Sequence, residues 1–231
     1  MIFIQPFVYY QENYVFLQKK YMLMRTSVNP TVYRRELKGR IIEVAMREFK
    51  QKGVRSVKMD DIARILSISK RTLYEIYSDK QELLLEGVRL EEQRRDEQMF
   101  SFANEKGKGA IDIIVEFYRM QIKNLANVNP VFFEDVKKYK KVWDYIHERH
   151  LIHQQNGLQF LKRGVEDGFF RDDVDYVLIS QLAEDISRFV IDSHMYTKYS
   201  LEHVFRNIIF LFFRGFSTPK GIEEMDRLLT K

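Results

Sequence analysis

VKMDDIARILSISKRTLYEIY, residues 57–77, is the stretch whose reading decides the fold. Two short runs with helical spacing flank Ser67-Ile68-Ser69. In the first run Ile62, Ala63 and Leu66 share a side; in the second, Leu73, Ile76 and Tyr77 fall at i, i+3 and i+4, one inward face that Ile68 continues. Asp60 and Asp61 lie in the first turn of the earlier run, where the helix dipole favours negative charge. Ser69 is placed to cap the later run. Its opposite side carries Lys70, Arg71, Tyr74 and Glu75. Two short helices, a three-residue turn and cations at the start of the second helix predict a helix-turn-helix reader of DNA.

A helix lying in the major groove needs small or cationic side chains near its N-terminus and apolar anchorage behind them. Lys70, Arg71 and Thr72 fill that first turn. Arg71 suits a bidentate contact to guanine, while Glu75 either pairs with Arg71 or accepts a hydrogen bond from cytosine. Tyr74 is placed to give its hydroxyl to a phosphate. Lys80, with the amides of residues 78–80, offers an anion site at the start of the following helix. The plainer reading makes Lys70 and Arg71 a solvated face and Tyr74 partly core; helix lengths, turn and charge distribution together favour the reader.

Charge is unevenly distributed along the 231 residues, whose net is +5. Between Arg34 and Lys80 there are 13 Lys and Arg against 7 Asp and Glu, whereas residues 81–231 are slightly acidic. The basic footprint expected of nucleic-acid binding therefore coincides with the helix pair. Cysteine is absent, which excludes disulfides, thiol nucleophiles and thiolate metal sites and suits a reducing cytoplasm.

Residues 1–33 are set apart as an extension. Residues 1–24 are aromatic-rich but interrupted by Gln5, Pro6, Gln11, Glu12 and Asn13, too often for a membrane span. Lys19 and Lys20 follow the apolar stretch, the reverse of a secretory signal. One reading is a non-essential segment with Met22 or Met24 as the true start; the other is an amphipathic helix on a partner. From about Glu36 to Lys52, Leu37, Ile41, Ala45 and Phe49 recur every four residues, with Ile42 and Met46 beside them, and Gly53 terminates the helix. Residues 34–82 form the expected DNA-binding domain and 83–231 a larger helical domain. In the latter, a long helix runs from about Asp79 to Phe102, and others follow from Ile111, from Val131 to about Asp167, and from Asp173 to about Tyr196. On the last of these, Leu178, Leu182, Ile186 and Phe189 make one stripe. Residues 204–213, VFRNIIFLFF, are apolar nearly all round, so a second copy of the chain is the expected cover. No strand-like alternation of useful length occurs, and the expected fold is all-α.

At these residues the chain resembles the TetR family of transcriptional regulators. The resemblance rests on Ala45, Phe49, Gly53, Asp61-Ile62-Ala63, Ile68-Ser69-Lys70, Thr72-Leu73-Tyr74, Tyr77, Lys80 and Leu83-Leu84, within Ile41 to Leu84. Weaker similarity lies in residues 168–173, GFFRDD, and 215–221, GFSTPKG. It implies a homodimer whose recognition helices enter successive major grooves of a pseudo-palindromic double-stranded operator, with a C-terminal effector-binding and dimerisation domain. Residues 173–196 and 201–216 would then build the dimer. Ser69, Lys70, Thr72, Tyr74, Tyr77 and Lys80 match family positions that face DNA or support the reader, and Lys58 joins them if redirected to a phosphate. Lys58 also stands where the family has a capping Thr, a loss of roughly 1 kcal/mol that Ser56 could make good. Ser67 stands where Gly is common, at a cost of up to about 1 kcal/mol if the backbone there is left-handed.

The resemblance further implies that an effector moves the long helix after residue 79 and so changes the separation of the two reading heads. Phe117, Tyr118, Phe132, Phe133, Trp143, Phe160 and Phe189 are candidate lining for an apolar effector cavity, with plain core as the rival reading. His147, His150 and His153 recur at steps of three, conceivable as metal ligands but read as solvated or pH-sensitive histidines, so no metal and no cofactor is expected. No nucleophile elbow, phosphate loop, HExxH pair or Rossmann fingerprint is present, and no enzyme is expected, an all-helical one being the remote alternative. A repressor released by a small molecule is the expected function; an architectural or division-linked DNA-binding protein is the nearer alternative.

Overall fold

The computed structural model describes residues 32–125 and 127–229. The extension of residues 1–24 lies outside them. The described residues form helices throughout: α1 (Val32–Lys52), α2 (Met59–Ile65), α3 (Lys70–Ile76), α4 (Lys80–Ala103), α5 (Ala110–Leu125), α6 (Val131–Val136), α7 (Lys140–Glu166), α8 (Tyr176–Asp192), α9 (Leu201–Phe216) and α10 (Pro219–Leu229). A 3-10 turn, Met195–Thr197, follows α8. None of the described helices is long and apolar enough to cross a membrane. The chain folds into two compact units, one containing residues 32–94 and 131–146, the other 95–130 and 147–229.

In the first unit the four-residue repeat of α1 does what its spacing requires: Leu37, Ile41, Ile42, Ala45, Met46 and Phe49 are all buried. Phe49, Ile62, Leu73, Tyr77, Leu83 and Leu84 have no exposed surface, and they knit α1 to α4 into one core. Gly53 ends α1 at φ +82°, a left-handed conformation that favours glycine. A Cβ there would also meet Val131 Cγ1 at 3.0 Å. Helix α6 thus lies against the α1–α2 loop, and its Asp135 accepts the Arg55 N–H at 2.8 Å. Gly87 lets α4 press on α1, since a Cβ there would stand 2.4 Å from Met46 Sδ. Ser67 does take the left-handed backbone, at φ +54°.

In the second unit the two weakly family-like segments meet each other. Arg171 N–H donates to Phe216 O and Thr218 N–H to Phe169 O, both at 2.9 Å, an isolated antiparallel bridge between Phe170 and Ser217. Gly221 permits the close approach, because a Cβ would lie 2.3 Å from the Phe169 carbonyl oxygen. Phe170, Phe216 and Phe213 stack edge to face beneath.

Helix α8 starts at Tyr176, later than Asp173, because the Asp175 carboxylate caps it by accepting the Val177 and Leu178 N–H groups at 3.1 and 3.0 Å. It ends at Asp192, short of Tyr196, and His194 turns the chain with φ +55°. The face turned to the core carries Ala183, Ser187, Val190 and Ile191. Leu178, Leu182 and Phe189 are 51, 42 and 61% exposed, so the stripe read from the sequence faces away from this unit's own core. Of the three histidines at steps of three, His153 is buried and His150 Nε2 lies 2.7 Å from Glu184 Oε2 in a half-buried pair, so the solvated reading holds for His147 alone.

Candidate nucleic-acid interface

Helix α3 is held by its back. Leu73 and Tyr77 are buried, Ile76 is half-buried, and the Ser69 hydroxyl caps the helix by accepting the Thr72 N–H at 3.0 Å. The Ser69 and Thr72 oxygens are 2.8 Å apart, which fixes both side chains at the first turn. Lys70, Arg71, Tyr74 and Glu75 stand outward, Tyr74 being 48% exposed. Arg34 Nη2 donates to the Glu75 carbonyl at 3.2 Å and ties the start of α1 to the end of α3. Nothing in the sequence pattern marks that long-range cap.

Each outward cation on α3 faces a carboxylate. Lys70 Nζ pairs with Asp60 of α2, and Arg71 Nε donates to Glu75 Oε1 at 2.8 Å. These hydrogen bonds raise the pKa of both cations above their ordinary values. On α2, Arg64 Nη2 reaches Asp61 Oδ1 at 2.5 Å. Asp61 also accepts the Lys58 N–H at 3.1 Å, and that backbone bond is the largest cause of its lowered pKa. The box at the start of α2 is therefore half made: a lysine ammonium has no lone pair with which to accept a backbone N–H. Ser56 does not make good the missing half, since its hydroxyl donates to the Lys52 and Gly53 carbonyls. Lys58 itself is exposed at the N-terminus of α2.

Tyr77 takes the inward place its spacing predicts, while two features at the start of α4 differ from what the sequence pattern suggests. Tyr77 has no exposed surface; burial raises its pKa, and its hydroxyl has no hydrogen-bond partner. Its place is under the reader, where no base can reach it. The Lys80 ammonium turns inward and donates to the Val54 and Val57 carbonyls, both at 2.9 Å, and to Arg55 O at 3.4 Å. Burial, the largest influence, holds its pKa below the usual lysine range. The Ser78 N–H and hydroxyl are both bonded to Glu82 Oε2 at 2.7 Å, and Asp79 Oδ1 accepts the Glu82 N–H at 2.8 Å. Of the amides expected to hold an anion here, the Ser78 N–H is taken by the chain's own Glu82 carboxylate.

The aromatic residues considered for an effector cavity are dispersed. Phe132, Phe133 and Trp143 belong to the first unit, the first two packed edge to face at 5.4 Å. Phe160 packs near Phe170, with ring centroids 6.3 Å apart, and Phe189 is exposed. Phe117 is half-buried in α5. In the second unit a small apolar cleft, partly open to solvent and with room for little more than a water molecule, lies among Ile114, Val115, Tyr118, Ile209, Phe210, Phe213 and Met225. Of the seven aromatics only Tyr118 lines it, its hydroxyl accepting from Arg206 Nε at 3.3 Å.

Held outward by an apolar back behind the four-residue turn 66–69, α3 gives residues 32–94 the form of a helix-turn-helix domain. Residues 41–86 match the family described as bacterial regulatory proteins, tetR family. No curated protein matches the chain. Among solved structures, a TetR-family transcriptional regulator from Agrobacterium tumefaciens shares the fold with TM-score 0.64 and 11% identity, over 80% of this chain and 100% of that one. A transcriptional regulator from Saccharomonospora viridis in complex with choline gives 0.59 and 18%, over 80 and 99%. The ketosteroid transcriptional regulator KstR2 of Mycobacterium tuberculosis gives 0.52 and 18%, over 84 and 100%. Residues 41–86 thus match the tetR family, within a fold that the chain shares with TetR-family regulators.

Proposed function

We propose that the protein is a sequence-specific transcriptional repressor that binds a pseudo-palindromic operator as a homodimer and is released by a small-molecule effector. The observation that carries this reading is the outward face of α3, where Lys70, Arg71 and Tyr74 stand exposed over a buried apolar back. Lys58, Ser69 and Thr72 complete the reading surface; Tyr77 and Lys80 support it from beneath. The second copy covers the apolar groups left open on α8 and α9, namely Val177, Leu178, Leu182, Phe189 and Leu211, the last 73% exposed. Exposed apolar side chains in that density mark an interaction surface.

The cleft among α5, α9 and α10 holds little more than a water molecule as it stands, so an apolar effector seated there must part these helices. The choline-bound relative supports small-molecule control in this fold. An effector that displaces α4 alters the spacing of two rigid heads, and a rigid dimer fits one groove spacing. The protein acts in the cytoplasm, where its DNA lies, and is not an enzyme. Selection of bound duplexes from a random pool, followed by gel shift, tests the reading: one enriched inverted repeat is expected, and recovery of unenriched pool DNA contradicts it. Genome-wide footprinting separates a regulator, at one or a few promoters, from an architectural protein at many dispersed sites.

A further inference from the structure

The face of α2 and α3 that would meet DNA is nearly neutral. Lys58, Arg64, Lys70 and Arg71 are balanced by Asp60, Asp61 and Glu75, and three of the four cations are in contact with one of these carboxylates. All three pairs are solvent-exposed, and such pairs add little to folding stability. Their effect falls on what the surface binds.

Arg71 and Glu75 show how. Glu75 takes the Nε–H of Arg71 at 2.8 Å, while the Arg71 side chain remains 88% exposed. The guanidinium is thereby gripped at its inner nitrogen, and its terminal Nη1 and Nη2 fork points to solvent. That fork suffices for a bidentate contact to guanine O6 and N7, and a bond at Nε does not compete with it. A phosphate from arbitrary DNA is treated differently. To reach one, Lys70 must leave Asp60, and both carboxylates then confront the phosphate charge.

We propose that Glu75 and Asp60 are specificity-determining residues: Glu75 aims the terminal fork of Arg71 at a guanine, and the two carboxylates together suppress binding to sequence-independent phosphate. Specificity is a difference of affinities, and here much of it comes from weakening the wrong complex. This rests on the DNA-binding reading above.

The test uses the full-length protein, a duplex selected from a random pool, and a scrambled duplex of equal length and composition. Asp60→Asn and Glu75→Gln raise affinity for the scrambled duplex about three- to tenfold near 0.1 M salt and steepen its salt dependence, each removing one repelled charge. Affinity for the selected duplex rises by less than about 1.5-fold, so the ratio of the two falls more than twofold. Glu75→Ala, which removes the grip on Nε, also shrinks the penalty for replacing the contacted guanine from about tenfold to under threefold; a merely structural Glu75 would leave that base-specific penalty in place. A specificity ratio within twofold of wild type in all three variants overturns the proposal and leaves the DNA-binding reading standing. If wild type fails to select any duplex, that reading falls and takes this inference with it.

Discussion

Replacing Lys80 with Met separates a structural lysine from a phosphate-binding one. The ammonium makes two 2.9 Å bonds, to the Val54 and Val57 carbonyls, and a longer one to Arg55. A hydrogen bond from a charged donor contributes about 1.5–3 kcal/mol when sheltered. Lys80 is only partly sheltered, so about 1 kcal/mol for each short bond is the fitting figure. Val54 has no exposed surface, so its carbonyl cannot turn to water once the lysine is gone. The total loss is about 2–3 kcal/mol, which for a chain of this length lowers Tm by about 4–12 °C. Circular dichroism measures that shift, and fluorescence anisotropy across a salt series measures DNA affinity. A structural Lys80 leaves the salt slope unchanged, whereas removing a phosphate-binding cation from each head makes it shallower by about 0.9 per cation. An unchanged Tm with a shallower slope would refute the inward placement.

Tyr77→Phe removes a buried hydroxyl that has no partner; it is expected to stabilise the protein by up to about 1 kcal/mol and raise Tm by about 2–4 °C, and a lowered Tm would show that the hydroxyl is satisfied. Asp61 has its pKa depressed below the ordinary 3.8 by the Lys58 N–H and by Arg64. Its contribution is therefore complete above 3.8 and lost as pH falls through the lower folded value. Urea midpoints should show Asp61→Asn less stable near neutral pH and less sensitive to acid below about pH 4, and parallel acid limbs for the two proteins would contradict this. Phe189→Asp, on the exposed face of α8, should weaken dimerisation by roughly 30-fold or more, the scale of a hot-spot residue. Sedimentation should show monomer with wild-type helicity, and a persistent dimer would move the interface elsewhere.

The helix-turn-helix was legible because its signals are local. Apolar spacing in α1 and α3, the Ser69 cap and the glycine stop at Gly53 each depend on a few neighbouring residues. The joint between residues 168–173 and 215–221 was visible only as two separate echoes, since nothing in either segment says that they meet. Lys80 was misplaced for a related reason: a lysine next to a basic helix reads as a phosphate ligand until the carbonyls of Val54 and Val57, far away in sequence, are seen around it. The α8 stripe exposes the limit of periodicity, which groups Leu178, Leu182 and Phe189 on one side but does not state whether that side meets the chain's own core or a second molecule. The effector aromatics scattered because hydrophobic residues at helical spacing carry no mark that distinguishes a cavity wall from packed core.

Double reversal of charge on α3, Lys70→Glu with Arg71→Glu, tests the central claim most directly. Both side chains are exposed and distant from the buried back of the helix, so helicity and oligomeric state should match wild type. The account predicts that wild type binds a selected inverted repeat with two chains per duplex, and that the reversed protein loses at least a hundredfold in affinity for it, as expected from replacing phosphate and base contacts with like-charge repulsion. Undiminished binding by the reversed protein would contradict the claim that this helix reads DNA.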